Sequence, residues 1–154
     1  MIQLIVKSLL FTLLIPGMVA GLIPFIITKG ISVDIGGLFI SGILFMLVGV
    51  VIYCWCVWDF AVFGLGTPAP IDSPKKLVTR GLYDYTRNPM YVAVICFIFG
   101  WVLIYTNGTI LVYGLCVALC FQLLVVFYEE PILLQMFGDE YLAYKQSVNR
   151  WVVF

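Results

Sequence analysis

The sequence contains no histidine, and only 10% of its 154 residues are charged. The absence of histidine excludes a histidine base, a histidine nucleophile and every histidine-ligated metal site. The formal net charge is zero, so no basic surface for nucleic acid is expected. The five cysteines form no Cys-x-x-Cys pair, and we interpret them as small buried hydrophobic residues. The sequence therefore predicts neither a metal site nor a nucleic-acid partner.

Apolar residues, in contrast, are abundant and make up 64% of the chain. A soluble domain of this length has too much surface for its volume to bury that many apolar side chains. The composition therefore predicts an integral membrane protein of the all-α class, a polytopic helix bundle that forms one domain over residues 1–154. Membrane lipids are its expected surroundings.

Four apolar stretches are long enough to cross a bilayer, near residues 2–27, 36–63, 90–106 and 109–130. The turn Thr106-Asn107-Gly108 separates the last two, which predicts a tight antiparallel hairpin. Thr109 is the expected N-cap of the second helix in that hairpin. Gly138 is expected to end a helix, and Asp139 to begin a C-terminal interfacial helix over 139–149.

The basic residues predict the orientation of such a bundle. With four spans, the N-terminus, the 64–89 loop and the C-terminal tail share one side, which holds seven of the eight basic residues. The positive-inside rule places that side, with both termini and the site described next, in the cytoplasm. The compact chain shows no targeting signal, which favours a prokaryotic inner membrane.

Two polar groups interrupt the apolar pattern. Asn88 and Pro89 open the third stretch, where asparagine suits the N-cap and proline suits the first helical turn. Glu129 and Glu130 end the fourth stretch, and Pro131 follows them without an N–H to donate. A helix distorted at that proline would let both carboxylates approach one cavity. The alternative is that both glutamates mark the interface and point to water.

Residues 77–91 read LVTRGLYDYTRNPMY, and residues 128–151 read YEEPILLQMFGDEYLAYKQSVNRW. In this order, over 64–154, they closely resemble the isoprenylcysteine carboxyl methyltransferase and phospholipid methyltransferase family of integral-membrane methyltransferases. The resemblance implies S-adenosyl-L-methionine as methyl donor, bound at the cytoplasmic ends of the last two spans. It also implies that the cytoplasmic loop 64–89 contacts this cofactor. It also implies a small lipophilic acceptor that enters from the bilayer.

The same resemblance implies a set of site residues. We expect Glu129 and Arg87 to act in catalysis, although Arg87 could equally bind a lipid phosphate. A glutamate suits the ribose diol or the ammonium group of the donor, and a tyrosine face suits its sulfonium. Cofactor contacts are implied at Lys75, Lys76, Leu77, Val78, Tyr83, Asn88, Pro89, Met90, Tyr91, Glu129 and Glu130.

Two positions depart from the family pattern. Asn88 stands where the family has histidine, so this position cannot exchange a proton. Val125 stands where the eukaryotic enzymes carry an arginine for the prenylated carboxylate, so another lipid, a thiol or a small amphiphile is expected as acceptor. Two other functions remain open. One is a membrane reductase of the steroid-reductase type, and the other is a four-span transporter or structural protein, for which only Asp59 offers an acidic residue in an early span.

Overall fold

The structure is a computed structural model that describes residues 12, 14–33, 35–64 and 76–151. Every regular element within these ranges is helical, which confirms the all-α fold class. The predicted start of the first span, residues 65–75 of the 64–89 loop and with them the expected cofactor residue Lys75 lie outside the described residues.

The described chain is a succession of apolar helices. We label them α1 (Met18–Thr28), α2 (Gly37–Asp59), α3 (Pro89–Tyr105), α4 (Gly108–Leu124) and α5 (Glu130–Ser147). A π-helical turn, Phe60–Gly64, extends α2, and another, Val125–Glu129, joins α4 to α5. A short 3₁₀ turn, Gly81–Asp84, precedes α3.

Two of the continuous helical runs, Gly37–Gly64 and Gly108–Ser147, are long and apolar enough to cross a membrane. The runs Met18–Thr28 and Pro89–Tyr105 are apolar but shorter. Because a span needs about 17 to 25 residues, the 17 residues of α3 lie at the lower end of that range. The membrane-spanning count of four therefore stays a prediction.

Glycines bring α2 and α3 into backbone contact. A Cβ atom at Gly49 of α2 would lie 2.7 Å from the carbonyl oxygen of Ala93, and one at Gly100 of α3 would lie 2.7 Å from that of Gly42. Real Cβ atoms do not approach that closely, so only glycine permits the contact. The close packing fixes the position of α3, whose first turn carries the expected site residues Pro89, Met90 and Tyr91.

The helix α1 is attached to α3 and α4 through its own backbone carbonyls. Pro24 has no N–H and cannot donate to the carbonyl of Ala20. The indole of Trp101 donates to that oxygen at 2.9 Å, and the hydroxyl of Tyr113 donates to the carbonyl of Val19 at 2.7 Å. Side chains of the neighbouring hairpin thus donate hydrogen bonds to two carbonyl oxygens in the π-helical first turn of α1.

That hairpin turns at Thr106 and Asn107, as the sequence predicts. Thr106 has left-handed backbone geometry, with φ 47°. The side chain of Asn107 accepts from the backbone N–H of Thr109 at 2.8 Å and of Ile110 at 3.4 Å. Asn107 is therefore the N-cap of α4. The prediction of Thr109 is wrong, because the residue two positions earlier already accepts from the N–H groups of Thr109 and Ile110.

The end of the bundle is built from the π-helical turn, α5 and the C-terminal tail, residues 148–151. The distortion of the helix before Pro131 confirms what the missing N–H of proline predicts. Gly138 interrupts α5 with φ 52° and ψ −124°, as expected for a glycine that ends one helical segment. Helix α5 ends at Ser147, and the tail then returns to the start of α3.

Candidate active site

The first turn of α3 is held by the backbone of the C-terminal tail. The N–H of Arg87 donates to the carbonyl of Asn149 at 2.9 Å. The hydroxyl of Thr86 and the amide of Asn88 both donate to the carbonyl of Arg150, at 2.9 and 3.0 Å. Asn88 occupies the N-cap position, but its side chain does not cap the helix. The expected capping bond is absent: Nδ2 of Asn88 donates to the tail, and the side-chain oxygen accepts no N–H of the first turn of α3.

Glu130 is buried at the centre of a cluster of basic side chains. Its Oε1 accepts from Nη1 of Arg87 at 3.0 Å and from Nε of Arg150 at 2.6 Å. Its Oε2 accepts from Nζ of Lys145 at 2.9 Å and from Nη2 of Arg150 at 3.2 Å. Arg87 also donates to the hydroxyl of Tyr141 at 3.2 Å. Beside Glu130, the pKa of Arg150 is raised further, so this guanidinium stays charged.

Glu129 faces a different environment. The hydroxyl of Tyr91, in the first turn of α3, donates to Oε1 of Glu129 at the end of the π-helical turn. The ring of Tyr91 packs on Phe121 of α4, with the centroids 4.5 Å apart. Within the part of the chain that the structure describes, the second carboxylate oxygen of Glu129 has no hydrogen-bond partner. The two adjacent glutamates therefore share no partner, and only Glu130 is neutralised by cations.

A cavity of about 520 Å³ lies between α2, α3 and α4 and begins at Tyr91. The indole N–H of Trp151 donates to Oε1 of Gln122 at 2.7 Å, and both side chains line the cavity beside Tyr91. The rest of the lining is apolar, from Phe45 on α2 to Phe99 on α3. Since a helix rises 1.5 Å per residue, the cavity extends about 12 Å along α3. Its surface is apolar almost throughout, and the side chains of Tyr91, Gln122 and Trp151 stand at the end beside the tail.

The other expected cofactor residues gather at the end of α2. Val78 and Tyr83 are buried in one cluster with Cys56, and Leu77 and Met90 pack against it. Burial raises the pKa of Tyr83 well above its usual range.

Tyr83 and the remaining expected residues, Pro89 and Lys76, differ in their contacts and in their exposure to solvent. The hydroxyl of Tyr144 donates to the carbonyl of Tyr83 at 2.7 Å. Pro89 is buried at the start of α3, and Lys76 is exposed. The expected residues thus form two neighbouring groups, one in the cluster around Cys56 and one beside Glu129. Met90 contacts the first group, and the next residue, Tyr91, binds Glu129 of the second.

A comparison with protein families identifies the chain. The model of the phospholipid methyltransferase family matches residues 38–140, which is more than half of the sequence. The chain belongs to the phospholipid methyltransferase family. No curated protein and no solved structure matches it. The family assignment confirms the resemblance found in the sequence and makes the chain a membrane methyltransferase; the matched region includes Tyr91, Glu129 and Glu130.

In this phospholipid methyltransferase family member, Val125 is 1% exposed and lies within the π-helical turn. A side chain so enclosed is a packing residue of the bundle.

Sequence reasoning missed the role of the tail. Arg150 and Trp151 belong to the stretch 128–151 quoted above, but the sequence alone does not indicate their contacts with Glu130 and Gln122. A signal for Trp151 is the lone Gln122 in an apolar helix, because a half-buried amide among apolar side chains requires a hydrogen-bond partner.

Proposed function

We propose that the chain transfers a methyl group from S-adenosyl-L-methionine to a lipophilic or amphiphilic acceptor at the cytoplasmic face of a membrane. The observation that carries this proposal is the contact between Tyr91 and Glu129, which joins the two most polar motifs of the matched family region. Had these side chains lain on opposite faces of the bundle, they could not have served one nucleoside.

The residues present fit the chemistry of the donor. When bound, S-adenosyl-L-methionine supplies an electrophilic methyl group on a sulfonium. The second carboxylate oxygen of Glu129 is available for ribose hydroxyls or an ammonium group. The N–H groups at the start of α3 suit a carboxylate. Nε of Arg87 is buried and has no partner among the described residues, so it offers a further donor to that carboxylate.

We assign Arg87 and Glu130 to positioning rather than to contact with the reacting atoms. Both side chains are 8% exposed and paired with each other at 3.0 Å. Together with Arg150 they hold the tail over the start of α3, where Tyr91 and Asn88 lie. The loop residues Lys75, Lys76, Leu77 and Val78, with Tyr83 and Asn88 to Met90, remain proposed cofactor contacts.

The cavity beside Tyr91 supports a lipophilic acceptor. Its end beside Tyr91 would hold the reacting group of an amphiphile next to the donor site, and its apolar body would hold the chain. Because the sulfonium loses its charge during transfer, a weakly polar site favours attack by an anionic nucleophile such as a carboxylate or thiolate. An amine or alcohol acceptor would need a proton acceptor, and Glu129 lies closest to the cavity through Tyr91.

The proposed topology has four spans and cytoplasmic termini in a prokaryotic inner membrane. The support for it is the excess of basic residues on one side of such a bundle. Arg87, Lys145 and Arg150 all meet at Glu130, which places them together at one end of the described helices.

Calorimetric titration of the detergent-solubilised protein with S-adenosylhomocysteine tests the proposal. We expect binding by the native chain and a roughly 10- to 100-fold loss in Glu129→Gln. Glu140→Gln is the matched control, because Glu140 is exposed and the same charge is removed. A folded native protein that binds no S-adenosylhomocysteine overturns the proposal, and binding of NADPH instead would favour the reductase.

A second experiment tests whether the methyl acceptor is lipophilic. The protein is incubated with S-adenosyl-L-methionine labelled in its methyl group and with a membrane lipid extract. Label in the organic phase that disappears in Glu129→Gln supports a lipophilic acceptor. Label only in water-soluble products contradicts that part of the proposal.

A further inference from the structure

The cavity beside Tyr91 is wider than a single hydrocarbon chain. Its volume is about 520 Å³ and it extends about 12 Å along α3, so division of the volume by the length gives a mean cross-section of about 43 Å². Apolar heavy atoms pack about 4.0 to 4.5 Å apart, so one straight chain needs a cross-section of roughly 16 to 20 Å². A straight chain would therefore leave about half of the cavity unfilled, and unfilled apolar space loses packing contacts.

Ala118 of α4 is the residue that leaves this width. It lines the cavity one turn away from Phe121, whose ring contacts that of Tyr91 with the centroids 4.5 Å apart. Ile95 also lines the cavity and lies one turn after Tyr91 on the antiparallel helix α3, so Ala118 and Ile95 stand at a similar depth. Alanine has the smallest side chain in the described lining of the cavity, and any larger residue at this position would narrow it.

Aromatic side chains from three segments meet at the end of the cavity beside the tail. Tyr91 belongs to α3, Phe121 to α4 and Trp151 to the tail. The indole of Trp151 is held in place by its hydrogen bond to Gln122 at 2.7 Å. Aromatic rings bind a further aromatic ring more strongly than a saturated group of the same size, because offset-stacked and edge-to-face contacts add to burial. This end of the cavity therefore suits a flat ring.

The other end of the cavity is open to the surroundings. Phe45 and Phe99 stand there with their ring centroids 5.2 Å apart, and each side chain is 40% exposed. In a membrane the exposed parts of these rings contact lipid chains. An apolar chain attached to a bound ring can therefore continue past Phe99 into the bilayer, so the cavity selects for width at its inner end and not for the total length of the ligand.

We propose that the methyl acceptor carries a flat unsaturated ring next to its reacting group, and that Ala118 is the specificity-determining residue that admits this ring. The inference rests on the proposed function and names the class of acceptor for the same site. The ring lies between Ala118 and Ile95, its reacting group is directed toward Tyr91, and its apolar chain extends toward Phe99.

Calorimetric binding of three matched probes to the detergent-solubilised protein tests the inference. The probes are a 4-alkylphenol, the corresponding 4-alkylcyclohexanol and a straight-chain alkanol with the same number of carbon atoms. All three are uncharged, because transfer of a charge into an almost entirely apolar cavity would be costly. Each probe is compared between native and variant protein, so that its own partition into the detergent micelle cancels.

Ala118→Leu should raise the Kd of the alkylphenol roughly 10-fold and leave that of the alkanol within about twofold, because the narrowed cavity excludes the ring and still admits a chain. Trp151→Leu should raise the Kd of the alkylphenol roughly 2- to 10-fold more than that of the alkylcyclohexanol, because only the former loses a ring contact. The control is Cys120→Leu, which enlarges an exposed residue of the same helix outside the cavity and should change none of the three affinities.

Three results would overturn the inference. They are an equal loss of alkylphenol and alkanol binding in Ala118→Leu, an equal loss of alkylphenol and alkylcyclohexanol binding in Trp151→Leu, and no binding of the alkylphenol by the native protein. Melting curves verify folding, and Ala118→Val, a smaller enlargement, replaces Ala118→Leu if the latter does not fold.

Titration of the same native sample with S-adenosylhomocysteine separates the inference from the proposed function. If the native protein binds S-adenosylhomocysteine while any of these three results is obtained, the ring-bearing acceptor is refuted and the proposed methyl transfer stands. Failure of the native protein to bind S-adenosylhomocysteine removes both.

Discussion

The guanidinium of Arg150 donates two hydrogen bonds to the carboxylate of Glu130, from Nε to Oε1 at 2.6 Å and from Nη2 to Oε2 at 3.2 Å. Through this ion pair the tail, residues 148–151, is tied to the junction of α4 and α5. The backbone carbonyl of Arg150 at the same time accepts from Thr86 and Asn88. One residue of the tail therefore joins the two segments that form the candidate active site.

Glu130→Gln is expected to destabilise the fold. The neutral amide leaves the guanidinium of Arg87, which is 8% exposed, without its counter-charge. Removal of one partner from a buried pair costs about 3 kcal/mol. The change should appear as a lower midpoint in detergent unfolding followed by circular dichroism. Lys145→Met is the comparison, because the side chain of Lys145 is 43% exposed and its loss should cost less than about 1 kcal/mol. Equal effects of the two substitutions would contradict the central role of Arg87 and Arg150.

Tyr91→Phe should weaken binding of S-adenosylhomocysteine by roughly 3- to 10-fold, because the hydroxyl that orients Glu129 is lost. The ring contact with Phe121 is kept, so stability should change little. In the double variant with Glu129→Gln, the effect of Tyr91→Phe should vanish, since the hydroxyl acts through the carboxylate. Fully additive losses in calorimetry would show that Tyr91 acts independently of Glu129.

Trp151→Ala should alter the use of the acceptor and not of the donor. The indole forms part of the cavity wall and is fixed by its bond to Gln122. Its removal enlarges the cavity, and we expect the acceptor KM to rise about 10-fold while the Kd of S-adenosylhomocysteine stays within about twofold. Trp58→Ala is the matched control, because Trp58 is 66% exposed on α2. An equal rise of the acceptor KM in Trp58→Ala would refute a specific role for Trp151.

Because Tyr83 is buried, we expect the folded protein to lose stability at alkaline pH. Its pKa is raised in the folded protein by burial, above the ordinary value of 10.0 that it takes in the unfolded chain. The folded state therefore holds the proton more tightly, and its stability declines as the pH rises past about 10. Tyr83→Phe removes this contribution, so the melting temperature should fall less between about pH 8 and about pH 10.5 than in the native protein. The same fall in both proteins would exclude Tyr83 as a source of the alkaline sensitivity.

Local signals explain which parts of the fold could be predicted. The expected spans 90–106 and 109–130 lie within one residue of the starts of α3 and α4, at Pro89 and Gly108. Proline in the first turn and the Thr-Asn-Gly turn act on their own backbone, so sequence alone reveals them. The helix distortion before Pro131 was predictable for the same reason.

The partners of Glu130 could not be predicted in this way. Lys145 and Arg150 reach it only because Gly138 turns the chain and the tail folds back. The sequence pattern therefore indicated an acidic pair with one shared role, whereas three basic side chains meet Glu130 and a tyrosine meets Glu129. Asn88 was likewise expected to cap α3, and its actual acceptor lies 62 positions away along the chain.

Helix α1 is attached to the bundle through its main-chain carbonyl oxygens, and this affects which substitutions the helix tolerates. A main-chain acceptor is the same for every amino acid, so replacement of Val19 by another apolar residue leaves the hydroxyl of Tyr113 its partner. Substitution of Pro24, in contrast, would restore an N–H that competes with Trp101 for the oxygen of Ala20. Apolar side chains are thus interchangeable at Val19, whereas Trp101 and Tyr113 are the donors that α1 requires from the neighbouring hairpin.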